Sequence, residues 1–159
     1  MIDIEDSVII NQPVEKVFAF ATNLENNICW QSDVILSEQT SDGPFGRGAT
    51  YRLVNRFMGQ FFDSEGVISE YVPNELCTYC FTAGPVAGES RFIFEPVDGG
   101  TRFLTRSNIE LKNLKILGFV VKRKARHQVR NDLQKLKIIF ENGADHFDCC
   151  GNFEDKHVR

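Results

Sequence analysis

The sequence predicts an α+β domain in which a curved antiparallel sheet of about seven strands wraps around a long C-terminal helix, with two short helices after the first strand. Three observations carry this expectation. Between Leu114 and Phe140 the apolar residues Leu114, Leu117, Val121, Ala125, Val129, Leu133, Leu136 and Phe140 recur at helical spacing. Between Asp33 and Leu111 the chain reads instead as short alternating stretches broken by turn residues. A helix of that span, about 40 Å at 1.5 Å per residue, needs one large apolar surface to lie against. A sheet curled around it supplies that surface and leaves room for a cavity.

The elements follow in order. Ile2 to Ile10 alternates and reads as a strand. Asn11-Gln12-Pro13 then starts a helix, because Pro is tolerated in a first turn and Glu15 lies at the positive end of the helix dipole. Val14, Val17, Phe18 and Ala21 form its apolar face. Thr22 or Asn23 caps a second short helix running to about Trp30. Strands are expected at Val34–Gln39, Ala49–Met58, Phe61–Tyr71, Leu76–Ala83, Glu89–Pro96 and Thr101–Leu111. Turns are expected at Thr40–Gly46, Gly59-Gln60, Gly84–Gly88 and Asp98-Gly99-Gly100. One domain over residues 1–142 is expected, and the polar stretch 143–159 reads as a flexible tail.

The composition excludes several function classes. At 159 residues, 42% apolar and 25% charged, the chain buries enough surface for a true core. A net charge of −4 argues against general nucleic-acid binding. No apolar run approaches the ~18 residues that span a membrane. The first residues are acidic and lack a signal peptide's basic start and apolar stretch, so a cytoplasmic location is expected. Cys29, Cys77, Cys80, Cys149 and Cys150 are therefore expected as reduced thiols. Cys77 and Cys80 have metal-site spacing, but in a strand they point to opposite faces. No Ser-His-acid order and no phosphate-cradling glycine loop is present, His127 projects away from the helix's apolar face, and no metal or cofactor is expected.

Four stretches, in order and spacing, resemble a known superfamily: Ile9 to Phe18, Glu65 to Pro73, Phe92 to Pro96 continuing to Gly99-Gly100-Thr101-Arg102, and Leu133 to Lys137 ending at Glu141. Over about residues 2–141 the chain resembles the START/Bet v 1-like (SRPBCC) superfamily, and within it the polyketide cyclase/dehydrase and lipid-transport group. The resemblance implies a helix-grip fold with a pocket between sheet and helix. It does not imply catalysis, because that group mixes enzymes with binders.

Strand alternation assigns the inward face. The arginines at positions 52 and 56 belong in solvent, so Tyr51, Leu53, Asn55 and Phe57 face inward. The same logic turns Phe62, Ser64, Gly66 and Ile68 inward, then Phe92 and Phe94, then Phe103, Thr105, Ser107 and Ile109. The candidate ligand-binding lining is Trp30, Tyr51, Leu53, Asn55, Ser64, Phe92, Phe103 and Leu117. The pair Ser64 and Gly66 leaves space for a cavity wall, or Gly66 marks a bulge. Small Gly118 and Ala125 on the helix reserve ligand volume or permit close packing.

Weak catalytic candidates are Asp132, Tyr51 and Asn55. Asp132 falls on the apolar face of the helix with Gln128 at its edge. A carboxylate there either is paired at the end of the sheet or serves a ligand or a proton transfer with a raised pKa. Asn55 either polarises a ligand oxygen or is satisfied locally. Lys112, Arg123, Arg126, Arg130 and Lys137 form a basic stripe on the opposite helix face, flanked by Lys115 and Lys122. It is either solvated or makes weak contact with an anionic membrane surface or acidic partner. The primary expectation is a binder of a small hydrophobic or amphipathic molecule such as a lipid, quinone or polyketide-like compound. The alternatives are a cyclase/dehydrase-type enzyme working by proton transfer, and a protein docking through its basic helix face. The sequence leaves catalysis and oligomeric state open.

Overall fold

A computed structural model describes residues 1–112 and 118–142. Strand β1 (Ile2–Ile10) is followed by α1 (Val14–Thr22), a 3-10 turn (Leu24–Asn26) and α2 (Asn27–Trp30). Strands β2 (Val34–Gln39), β3 (Thr50–Phe57), β4 (Gln60–Val72), β5 (Leu76–Ala83), β6 (Val86–Val97) and β7 (Gly100–Leu111) come next, then α3 (Gly118–Glu141). All neighbouring strands pair antiparallel in one seven-stranded sheet of order β1-β7-β6-β5-β4-β3-β2. Only the β1–β7 neighbours depart from chain order, because α1 and α2 carry the chain from one sheet edge to the other. Helix α3 lies against β1 and α2, and the sheet curls around it: a helix-grip fold.

The inward face is apolar by alternation. Tyr51, Phe62, Ile68, Phe92, Phe94 and Phe103 are buried, as are Leu133, Leu136, Ile139 and Phe140 from α3. Trp30 is 2% exposed and packs edge-on to Phe103, which stacks on Phe94 with ring centres 4.7 Å apart. On the outer face, Arg52 pairs with Asp63 at 2.8 Å and Arg106 with Glu5 at 2.7 Å, which confirms the facing inferred from the arginines. Such exposed pairs contribute ~0–1 kcal/mol each.

Several expectations need correction. The second helix is not continuous. The Asn23 side chain accepts only the Glu25 amide, so a 3-10 turn forms first, and α2 begins where buried Asn27 donates from Nδ2 to Ser37 Oγ at 3.0 Å. The β3–β4 turn is Met58-Gly59, one residue earlier than expected, with Phe57 opposite Gln60 and both turn residues at positive φ. Strand β6 starts at Val86 rather than Glu89. Gly88 lies within it at φ +103°, and a Cβ there would stand 2.1 Å from the Asn108 carbonyl oxygen. The glycine is a close approach of β6 to β7, not a loop residue. The expected first turn of the long helix, including Leu117, and the tail from 143 lie outside the described residues. Cys77 and Cys80 are free thiols, but Cys29 is disulfide-bonded, against the expectation of a fully reduced chain. No helix among the described residues is long and apolar enough to cross a membrane.

Candidate functional site

The sheet does not close completely on α3. Two adjoining cavities, about 120 Å³ and about 180 Å³, lie between them. Both are walled by Leu53, Phe81, Val129 and Asp132, and by Ser90 and Ser107, whose hydroxyls are hydrogen-bonded at 2.9 Å across β6 and β7. They are thus two lobes of one space. Aromatic residues Trp30, Tyr51, Tyr79 and Phe92 line the first lobe, with α2 as its roof. Aliphatic residues of β1, β7 and α3 dominate the second, which also contains Asp33, Asn55 and Gln128.

A polar knot marks the junction. Asp132, 7% exposed, accepts from the Ser32 amide at 3.1 Å and the Ser32 hydroxyl at 2.8 Å, both on Oδ1. Burial pushes its pKa up to about 6, opposed by the two Ser32 bonds and reinforced by the neighbouring Asp33 carboxylate. Asp33 is itself raised from the ordinary carboxylate range by burial, although Asn55 Nδ2 donates to its Oδ2 at 2.7 Å and Gln128 also bonds it. Two carboxylates therefore meet neutral donors rather than a buried cation. Among the described residues, exposed Lys135 is the cation whose charge acts on Asp132.

Three of the site residues inferred from sequence, Trp30, Tyr51 and Phe92, sit on the first lobe. Leu53 and Asp132 border both lobes, and Asn55 the second. Ser64 and Phe103 are buried away from the cavity walls, 1% and 0% exposed. Leu117 lies outside the described residues. Asn55 is engaged by Asp33 rather than free for a ligand. Gly66 does mark an irregularity, in the β4–β5 register, but its space is not cavity. Tyr51 lies across it, and a Cβ on Gly66 would stand 2.3 Å from the phenol oxygen. Burial raises the Tyr51 pKa, so the phenol is a neutral donor and not a base. Its hydroxyl and the Trp30 indole nitrogen are buried with no hydrogen-bond partner among the described residues. Gly118 is exposed and meets nothing that a side chain would displace, whereas Ala125 does border the second lobe.

Asp33, Gln31 and Ser90 were not singled out from sequence, and Val129 was read only as an apolar residue of the long helix. Asp33 was findable in part. The β2–β3 register sets Val34 opposite Asn55, and the Arg56 amide donates to the Asp33 carbonyl, so this register brings Asp33 beside Asn55. His127 borders an outer groove, not the cavity.

Comparison with known proteins agrees with this architecture. No curated protein sequence matches the chain. Among solved structures, a START superfamily protein from Mycobacterium smegmatis superposes with TM-score 0.76 at 18% identity, over 88% of this chain and 97% of that one. TTHA0849 from Thermus thermophilus gives 0.73 at 21%, over 85% and 94%. The Zhui aromatase/cyclase from Streptomyces sp. R1128 gives 0.70 at 12%, over 85% and 90%. At such identities these likenesses establish the fold alone. The sequence model of one family matches residues 1–141, and the chain accordingly belongs to the polyketide cyclase / dehydrase and lipid transport family.

Proposed function

We propose that the protein binds a small hydrophobic or amphipathic molecule in the two-lobed cavity between the sheet and α3. The observation that carries this reading is the cavity itself: a largely apolar space whose few polar groups converge at the junction of its lobes. Its size favours a small ligand. An apolar cavity of about 150 Å³ holds one benzene ring, so each lobe accommodates about one ring or a short chain segment. A quinone-like or short polyketide-like molecule fits better than a two-chain lipid. The rings of Trp30, Tyr51, Tyr79 and Phe92 supply apolar contact in the aromatic lobe, and burial of apolar area supplies about 25 cal/mol per Å² before association costs.

Native mass spectrometry of the protein from its own source, with extraction of bound material, tests this. A stoichiometric small molecule is expected, and it should be lost in the Leu53→Phe/Val129→Phe variant, which fills the wall shared by both lobes. Retention of the same molecule by a folded double variant would refute the assigned cavity.

A second reading rests on the raised pKa of Asp132. A carboxylate poised near 6 at the wall of this cavity has the properties of a general base for removing a proton beside a carbonyl. Asp132→Asn should then abolish turnover of an enolisable substrate while preserving its binding. Unchanged turnover would remove Asp132 from the chemistry.

A further inference from the structure

We propose that the outer groove between the tip of the β3–β4 hairpin and the N-terminal half of α3 docks on an anionic lipid bilayer. This open groove, about 830 Å³, lies outside the ligand cavity. Arg56 of the hairpin and Arg123, Lys124, Arg126 and Arg130 of α3 border it, and among the described residues none that lines it is acidic. That concentration of positive charge occurs in a chain of net charge −4.

Among the described residues, several of the acids near it are engaged. Asp6 of β1 takes Arg130 at 3.2 Å. On the β1 side Arg126 and Arg130 also border Asp3, Glu5 and Glu89, of which Glu5 is held by Arg106. Asp33 lies behind Gln128, which is shared by the groove and the cavity wall. Arg56, Arg123, Lys124 and Arg126 form no salt bridge among the described residues, so their charge is available to a partner.

Two exposed aromatic residues favour a bilayer over an acidic protein or nucleic acid. Phe119 is 71% exposed in the first turn of α3, and Phe61 is 66% exposed on the hairpin, with the Arg56 guanidinium 5.7 Å from its ring centre. Isolated apolar rings standing among cations are the arrangement by which a surface helix enters the headgroup layer: cations meet phosphate and carboxylate groups while rings reach the acyl boundary. The position is also coherent with an apolar ligand. Phe57 and Gln128 border both the groove and the second lobe of the cavity, so docking through this face sets that lobe next to the bilayer.

Co-sedimentation with phosphatidylcholine vesicles and with mixed phosphatidylcholine/phosphatidylserine vesicles, at low and high salt, tests the proposal. Wild-type protein is expected to bind only the serine-lipid vesicles, and to be released by salt. The Arg123→Glu/Lys124→Glu/Arg126→Glu variant should lose at least about tenfold in partitioning, and Phe61→Ser/Phe119→Ser several-fold. No binding to the anionic vesicles at low salt, equal binding to neutral vesicles, or an unchanged folded charge-reversal variant would each overturn it. If charge reversal prevents folding, the salt titration of the wild type decides. The result is independent of ligand binding in the cavity, which is read separately by mass spectrometry.

Discussion

Asp132 gives the sharpest test of the site's electrostatics. Its folded pKa, about 6, lies above the ordinary value of 3.8. The folded chain therefore holds this proton more tightly than the unfolded chain does, and stability falls as pH rises through the window from 3.8 to 6. A difference of about two units corresponds to roughly 3 kcal/mol once both states are ionised. By pH 5 roughly half of that loss has already occurred through ionisation of the unfolded chain, so Asp132 accounts for a further drop of about 1.5 kcal/mol between pH 5 and pH 8. Asparagine keeps an acceptor oxygen for the Ser32 amide and hydroxyl but removes the buried charge. Urea denaturation at the two pH values should show Asp132→Asn more stable than wild type at pH 8 by about 1–3 kcal/mol, with a smaller change between pH 5 and 8. Asp33 acts with the same sign and remains in both proteins. A variant less stable than wild type at pH 8, with an undiminished pH dependence, would refute the reasoning.

Other consequences are equally specific. Gly66→Ala places a methyl group 2.3 Å from the Tyr51 phenol oxygen and 2.4 Å from the Cys80 carbonyl, so it should destabilise by about 1–3 kcal/mol in thermal denaturation; an unchanged melting temperature would contradict the packing of Tyr51 over Gly66. Phe103→Ala removes a fully buried ring between Phe94, Phe92 and Trp30 and should cost about 3–5 kcal/mol without changing which ligands bind, since Phe103 is not on the cavity wall. Burial pushes the Cys77 thiol up to about 11, whereas Cys80 is half-buried on the opposite face. Alkylation at pH 8 followed by peptide mass spectrometry should therefore modify Cys80 well before Cys77, and equal rates in the native protein would count against the assigned strand faces.

The fold was legible because two periodicities dominate the chain. The 2-residue alternation of β3, β4, β6 and β7 set the inward faces correctly, from Tyr51 to Phe103, and the apolar spacing of α3 demanded the sheet that covers it. The site was legible only where one element sufficed. Asp132 and Gln128 emerged from the helix projection, and Tyr51 and Phe92 from strand alternation. What alternation cannot say is whether an inward side chain meets a neighbour or a void. Ser64 and Phe103 face inward as read, yet they are enclosed by other core groups, and Gly66 is covered by Tyr51. Asp33 sits at the end of β2, where periodicity carries no information, and acquires its meaning only from Asn55 and Gln128 on two other elements.

The way these carboxylates are held bears on ligand choice. Buried acids that serve structure alone are usually met by a buried cation or by enough hydrogen bonds to hold their pKa down. Asp33 and Asp132 are met by serine, asparagine and glutamine groups, and both remain raised. The arginines nearby border the outer groove instead. A neutral apolar ligand entering either lobe displaces water from Asp132 and raises its pKa further, so binding should take up a proton. The affinity for such a ligand is then expected to be higher at pH 5 than at pH 8, and to lose this dependence in Asp132→Asn. A ligand that donates a hydrogen bond or a positive charge to the pair reverses the sign and binds better at pH 8. Titrating one neutral probe and its amine analogue across this range, in wild type and variant, reads the chemistry of the junction directly. A flat profile for both probes in the wild-type protein would mean that neither carboxylate faces the ligand, and the binding site would have to lie away from the junction of the two lobes.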